Sequence, residues 1–248
     1  MTLSTSTRRV ERVRHELKRR DVQVARVEQL SPHFRRVTFT GDALRDFVSL
    51  SFDDHVKLFF APADDGAEPA RRDYTPRSYD NAVGELQIEF ALHGEGAASD
   101  WAAQAAPGQT LTVAGPKGSL IIPVDYDWHL LVGDETALPA VTRRLEQLPP
   151  GARAIVLLQV ADLADRRELR SRADVRVTWV GDNAELLAAV RALDLPAGEG
   201  YAWCAGEAAA MAALRRVLVE DKGHPRDAIR AAAYWKRGAT AHHENLEG

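Results

Sequence analysis

Hydrophobic positions alternate along the first half of the chain and bunch together along the second. In ELQIEFALH, Leu86, Ile88, Phe90 and Leu92 fall on one side of an extended strand, with Gln87, Glu89 and His93 on the other. That period of two predicts a half-buried strand. HVKLFF follows the same rule, with Val56, Leu58 and Phe60 inward and Lys57 outward. DVQVARVEQL, RRVTFTG and QTLTVAGP are similarly short and rich in β-branched and aromatic residues. Gly, Pro, Asp or Asn separate them at the spacing of an antiparallel barrel or sandwich.

From about residue 128 the pattern changes. HLLVG, ARAIVLLQVA, VRVTWVG and YAWCAG are apolar strands, each expected to lead into a helix such as ETALPAVTRRLEQL, NAELLAAVRAL or EAAAMAALRRVLVED. Strand and helix in alternation predict a parallel sheet with helices on its faces, and ligands at the carboxyl ends of its strands. The expected organisation is a polar extension (1–20), an antiparallel β-barrel domain (21–124), a parallel-sheet α/β domain (125–238) and a polar tail (239–248). The joint falls in IIPVDYDW.

Composition narrows the function. The 248 residues carry a net charge of −4, with no basic excess of the kind that nucleic-acid binding needs. An anionic ligand therefore requires a local basic patch. Apolar runs such as Ile155–Leu158 fall far short of the roughly 20 residues of a membrane helix. The N-terminal stretch is charged and lacks an apolar core, so no secretory signal and a cytoplasmic location are expected. Cys204 is the sole cysteine, which excludes an intrachain disulfide, a dithiol centre and a four-cysteine iron–sulfur cluster within one chain. Electron transfer would need an organic cofactor, and Cys204 itself reads as inert packing in a buried strand.

Two stretches in the β half carry chemistry. In RDYTPR, arginine forks suit phosphate, the Tyr74 ring suits a flat heteroaromatic system, and the Thr75 hydroxyl suits a ring nitrogen. Alone, such a stretch is more often a solvated strand edge. HGEGAASDW supplies a second element: Gly94 and Gly96 permit close backbone approach, and the start of a helix presents amides to an anion. The plainer alternative is a glycine turn with Ser99 or Asp100 as the helix cap.

With these stand AGPKGS, VGDETALPA, WCAGEA and YWKRG, and in this order the motifs resemble the siderophore-interacting proteins, FAD-dependent ferric-siderophore reductases of the ferredoxin-reductase-like superfamily. The resemblance spans about residues 20–238. It implies an FAD-binding barrel followed by a nicotinamide-nucleotide domain. It also implies Arg72 and Arg77 at the FAD pyrophosphate, Tyr74 beside the isoalloxazine and Thr75 at flavin N5. His93, Gly94, Gly96, Ala97, Ala98 and Ser99 resemble the phosphate-binding turn, although Gly96-Ala97 stands where the family usually has Gly-Pro.

VGDETALPA ends an apolar strand and opens a helix without a GxGxxG pattern. Gly133 permits the turn, Thr136 offers a hydroxyl, Ala137 follows, and Pro139 suits the first helical turn. Asp134 and Glu135 read equally as helix caps or as partners of ribose or flavin hydroxyls. Gly206 and Glu207 resemble the other wall of the nicotinamide site. The resemblance places Trp235 against the flavin, making Tyr74, Thr75 and Trp235 the expected catalytic neighbours. Lys57, Lys117, Lys236 and Arg237 are the expected cations around an anionic iron chelate.

The implied reaction is hydride transfer from NADH or NADPH to FAD, then single-electron transfers to Fe(III) in a siderophore. Asp162 favours NADH through the ribose, whereas Arg166 and Arg167 favour a 2′-phosphate. Ferredoxin stands as an alternative donor, and a monomer is expected. No protein metal site is expected, since His242-His243 lie in the polar tail. The rival readings are a general flavin reductase and a siderophore-binding protein without activity.

Overall fold

The computed structural model describes residues 9–61, 68–92, 96–239 and 244–246. The first half forms β1 (Glu11–Arg14), β2 (Arg19–Ser31), β3 (Phe34–Thr40), β4 (Val56–Phe60), β5 (Ala70–Tyr74), β6 (Pro76–Asp80), β7 (Glu85–Ala91), α1 (Ala97–Gln104), β8 (Thr110–Ala114) and β9 (Gly118–Ile121). Seven of these strands build one antiparallel sheet in the order β5-β4-β8-β2-β3-β7-β6. The sheet curls into a barrel whose two outer strands, β5 and β6, are successive in the chain and separated only by Thr75. RDYTPR is thus the covalent seam of the barrel.

The inward alternate residues of β4 and β7, Val56, Leu58, Phe60, Leu86, Ile88 and Phe90, are at most 1% exposed and form the barrel core. α1 closes one end of it: Ala98 and Ala102 are buried, and the Trp101 ring lies near those of Phe39, Phe60 and Phe90. β1 pairs with β9, so part of the expected polar extension is a strand of the fold.

The second half forms β10 (Trp128–Gly133), α2 (Leu138–Gln147), β11 (Arg153–Gln159), β12 (Asp174–Val180), α3 (Asn183–Ala192), β13 (Gly200–Glu207), α4 (Ala208–Arg216), β14 (Ile229–Trp235) and β15 (Glu244–Asn245). Their sheet order is β12-β11-β10-β13-β14-β15, parallel except for β15. The order reverses between β10 and β13, and crevices for ligands open at the carboxyl ends of strands at such a switch point. α2 packs on one face of the sheet with Leu131, Val156 and Trp203. α3 and α4 pack on the other with Leu130, Val132 and Leu157.

One expected helix is missing. Between β11 and β12 there is only a 3-10 turn, Leu163–Asp165. The segment DLADRRELRSRAD lacks an apolar stripe and is engaged with the barrel instead. Asp165 accepts from Ser31 Oγ at 2.6 Å, and Arg167 pairs with Glu89.

The halves meet through buried polar contacts. Arg143 of α2 donates to Ser49 Oγ and to the carbonyls of Pro76 and Ser49 at 2.7–2.9 Å. Asp53 accepts from Trp203 Nε1 at 3.1 Å and Arg230 Nε at 2.5 Å. Glu89, expected on a solvated face, is 3% exposed. Burial pushes its carboxyl up, but Arg167 and Arg36 outweigh this and hold it below the usual range. The outer face of β7 meets the second domain, which is why its alternation does not end in solvent.

Candidate active site

A cleft of about 360 Å³ opens where the barrel seam faces the carboxyl ends of β10 and β14. From the seam it takes Arg71, Arg72, Asp73, Tyr74 and Thr75; from the start of α1, Gly96, Ala98 and Ser99. The α/β half contributes Glu135, Thr136, Pro139, Tyr234 and Trp235. Motifs about 160 residues apart in sequence therefore share one wall.

The seam residues are held firmly. Tyr74 is half-buried, its ring centroid 4.5 Å from that of Phe90, and burial pushes its phenol up. Thr75 is 6% exposed and hydrogen-bonds Tyr234, whose phenol burial also pushes up. Arg72 Nη1 donates to the Arg71 carbonyl at 2.8 Å and makes no ion pair among the described residues.

α1 begins at Gly96 with no side-chain cap. Ser99 and Asp100, the alternative caps, leave that role unfilled, so among the described residues the first amides of α1, at the cleft wall, have no side-chain acceptor. Amides at a helix start beside an arginine suit a phosphate. His93 and Gly94 lie outside the described residues, and Ala97 packs against the barrel core.

Asp134 resolves one of the open alternatives. It is 1% exposed and accepts from Thr136 N at 2.9 Å, Thr136 Oγ1 at 2.5 Å, Glu207 N at 2.9 Å and Trp235 Nε1 at 2.8 Å. It is a cap and a junction, its two carboxylate oxygens taken up by these four protein donors. Burial pushes the carboxyl up, and these hydrogen bonds oppose that push. The arrangement needs both neighbouring glycines: a Cβ on Gly206 would sit 2.5 Å from Asp134 Oδ2, and one on Gly133 2.5 Å from the Ala205 carbonyl. Gly133, Ala137 and Gly206 are consequently buried behind the cleft wall, while Glu207 caps α4 through the Ala210 amide at 3.0 Å.

Other expected residues lie elsewhere. Arg77 does not join Arg72: its guanidinium donates to Glu146 at 2.8 and 2.5 Å and lies 3.4 Å from Glu89. The break at Thr75 turns Arg72 toward the cleft and Arg77 toward α2. Lys57 lines the cleft but is paired with Asp73 at 2.7 Å. Lys117, Lys236 and Arg237 are all exposed and outside the cleft lining; Lys117 lies in the turn before β9, and Lys236 and Arg237 directly follow Trp235, which lines the cleft. Arg167 is committed to Glu89, and Asp162 caps the 3-10 turn through Ala164 N at 2.8 Å.

Sequence reasoning passed over Arg71 and His55, which also line the cleft. The adjacent arginine pair was the visible signal for Arg71; His55 carried none. Burial pushes the His55 imidazole down. Among the described residues no group of three or more His, Cys, Asp or Glu is placed to hold a metal ion.

Residues 126–238 match the model of the siderophore-interacting protein family, and residues 23–67 and 62–120 match its siderophore-interacting FAD-binding domain. An NADPH-dependent ferric-chelate reductase of Escherichia coli is 38% identical over 253 residues, covering 94% of this chain and 99% of the relative. The chain belongs to the siderophore-interacting protein family.

Other similarities of this siderophore-interacting protein agree. The ferric vibriobactin reductase ViuB of Vibrio cholerae is 32% identical, covering 88% of this chain and 90% of ViuB. A solved siderophore utilization protein from T. fusca superposes with a TM-score of 0.88 at 32% identity, covering 94% of this chain and 98% of that one. A ferredoxin reductase of carbazole 1,9a-dioxygenase, 18% identical with a TM-score of 0.69, shares the fold. The cofactor is FAD, and the uncapped amides of α1, Arg72 and the Tyr74 ring form a donor set that fits it.

Proposed function

We propose that the protein reduces Fe(III) held in a siderophore, drawing electrons from NADPH through FAD. The observation that carries this reading is the single cleft in which the barrel seam and the ends of β10 and β14 meet. A ring bound against Tyr74 there lies within reach of both the nucleotide half and the solvent-facing cations after Trp235.

Arg72, Arg71 and the first amides of α1 would hold the FAD phosphates, while Tyr74 and Thr75 would orient its ring. Bound there, FAD supplies the conversion from a two-electron donor to a one-electron acceptor. The protein's own work is placement. Phe90 braces Tyr74, Tyr234 fixes the Thr75 hydroxyl, and Asp134 fixes the Trp235 indole.

The ferric siderophore is the substrate and brings its own iron ligands. Lys236 and Arg237 are the cations best placed to attract an anionic chelate, because Asp73 already compensates Lys57. Iron is released after reduction because hard oxygen donors hold Fe(II) more weakly than Fe(III).

NADPH is favoured over NADH by the E. coli relative's NADPH dependence and by Arg166, exposed just beyond β11. A 2′-phosphate is read by such an arginine near the carboxyl end of a parallel strand. The same reading makes the enzyme a cytoplasmic monomer, with ferredoxin as an alternative donor. Among the described residues no helix is long and apolar enough to cross a membrane.

Purified FAD-loaded protein made anaerobic should lose its flavin absorbance on adding NADPH and regain it on adding a ferric siderophore. Protein that cannot be loaded with FAD would overturn the reading.

A further inference from the structure

A second cavity, of about 480 Å³, lies at the other end of the parallel sheet. Its walls are the amino ends of β13 and β14, the end of α4, β1 and the Asn245–Leu246 segment. The flavin cleft opens at the carboxyl end of β14 instead. Along that strand their nearest lining residues, Ala231 and Tyr234, are three residues apart, about 10 Å.

Four arginines from different elements converge on this cavity: Arg12 of β1, Arg215 of α4, Arg226 of the turn before β14, and Arg230 of β14. Arg215 and Arg226 make no ion pair or side-chain hydrogen bond among the described residues. Arg230 is mostly buried and anchored through Nε to Asp53. Asp227 is the carboxylate in the lining, and Asn245 adds an amide. Arginine is common in this chain, so the distinguishing feature is the convergence of four of them from different elements on one cavity, not their number.

Guanidinium forks approaching from several directions suit a tetrahedral oxyanion better than a planar carboxylate. The cavity is larger than one phosphate group, and Val10, Leu120, Ile229 and Leu246 give it an apolar side. We propose that this pocket binds a phosphorylated small molecule, with Arg215 and Arg226 gripping the phosphate. The site is separate from those for FAD and the nicotinamide, and it goes beyond the reductase reading.

The test is calorimetric titration of the FAD-loaded full chain with inorganic pyrophosphate at constant ionic strength. It is run on wild type, on R215A/R226A, and on K18A/R45A as a control for loss of surface charge. Wild type should bind, R215A/R226A should bind at least about tenfold more weakly, and K18A/R45A should match wild type. Flavin absorbance and the rate of ferric-siderophore reduction should be the same in all three. The proposal fails if wild type shows no saturable binding, if R215A/R226A binds like wild type, or if K18A/R45A weakens binding equally.

Discussion

Trp235 Nε1 donates to Asp134 Oδ2 at 2.8 Å, and the same oxygen accepts from the Glu207 amide at 2.9 Å. One buried carboxylate thereby joins the ends of β10, β13 and β14. Asp134→Asn would turn an amide group toward these donors. It is expected to lower the stability of the apo protein by about 2–4 kcal/mol, measured as the denaturant midpoint. It should also shift the Trp235 fluorescence, a change that disappears when Asp134→Asn is made in a Trp235→Phe background.

Arg72 and Arg77 are five residues apart and should fail differently. Arg72→Ala should weaken FAD binding by about 1–3 kcal/mol, the range of a charge-assisted hydrogen bond, with the apo melting temperature unchanged. Arg77→Ala removes a partner of Glu146 and Glu89 and should lower apo stability by roughly 2 kcal/mol. Equilibrium FAD titration paired with thermal melts separates the two. Equal loss of FAD with no loss of stability in Arg77→Ala would place its guanidinium in the cleft after all.

Lys236 and Lys117 differ in the same way. Lys236→Ala should raise KM for an anionic ferric siderophore several-fold and leave NADPH-dependent reduction of a small neutral dye unchanged. Lys117→Ala should change neither, because Lys117 adjoins no lining residue along the chain, whereas Lys236 directly follows Trp235. A salt titration checks the electrostatic origin: the difference between wild type and Lys236→Ala should shrink as ionic strength rises.

Acid should weaken the fold from mildly acidic pH downward. Burial and the nearby Arg144 push the His129 imidazole down to about 4 from 6.5. A base depressed on folding contributes stability that is complete above 6.5 and lost as pH falls through about 4. A shift of that size amounts to roughly 3 kcal/mol. Glu89, held below its usual 4.5, adds a loss in the same direction at lower pH. Denaturant midpoints across this range should show the slope, and His129→Gln should flatten its upper part.

Much of the fold was legible because its signals are local. The alternation in β4 and β7, and the change to apolar strands followed by helical segments after residue 128, need only neighbouring residues. What escaped depends on partners far along the chain. Glu89 is buried because Arg167 arrives 78 residues later, and Asp53 meets Arg230 across 177. The missing helix between β11 and β12 was hinted at by a charged segment without an apolar period.

The site was legible to a similar extent. Tyr74, Thr75, Ser99, Thr136 and Trp235 do line one cleft, as the order of motifs implied. Arg77 was grouped with Arg72 by the resemblance alone; residues five apart fall on opposite faces of an extended strand, and Thr75 is here the junction between two strands pairing with opposite ends of the sheet. Asp134 and the glycines around it resembled a nucleotide turn, yet their chemistry is directed inward. Only three-dimensional packing distinguishes a carboxylate that meets a ribose from one that meets a tryptophan.

The central claim is that electrons pass from NADPH through FAD to siderophore-bound iron. Anaerobic mixing of NADPH, FAD-loaded protein and a ferric siderophore, with a colorimetric Fe(II) trap, tests it most directly. The account predicts about two Fe(II) per NADPH consumed, the ratio set by a two-electron donor and a one-electron acceptor, and loss of the signal when FAD is withheld. NADPH oxidation with no Fe(II) above the protein-free control would contradict it.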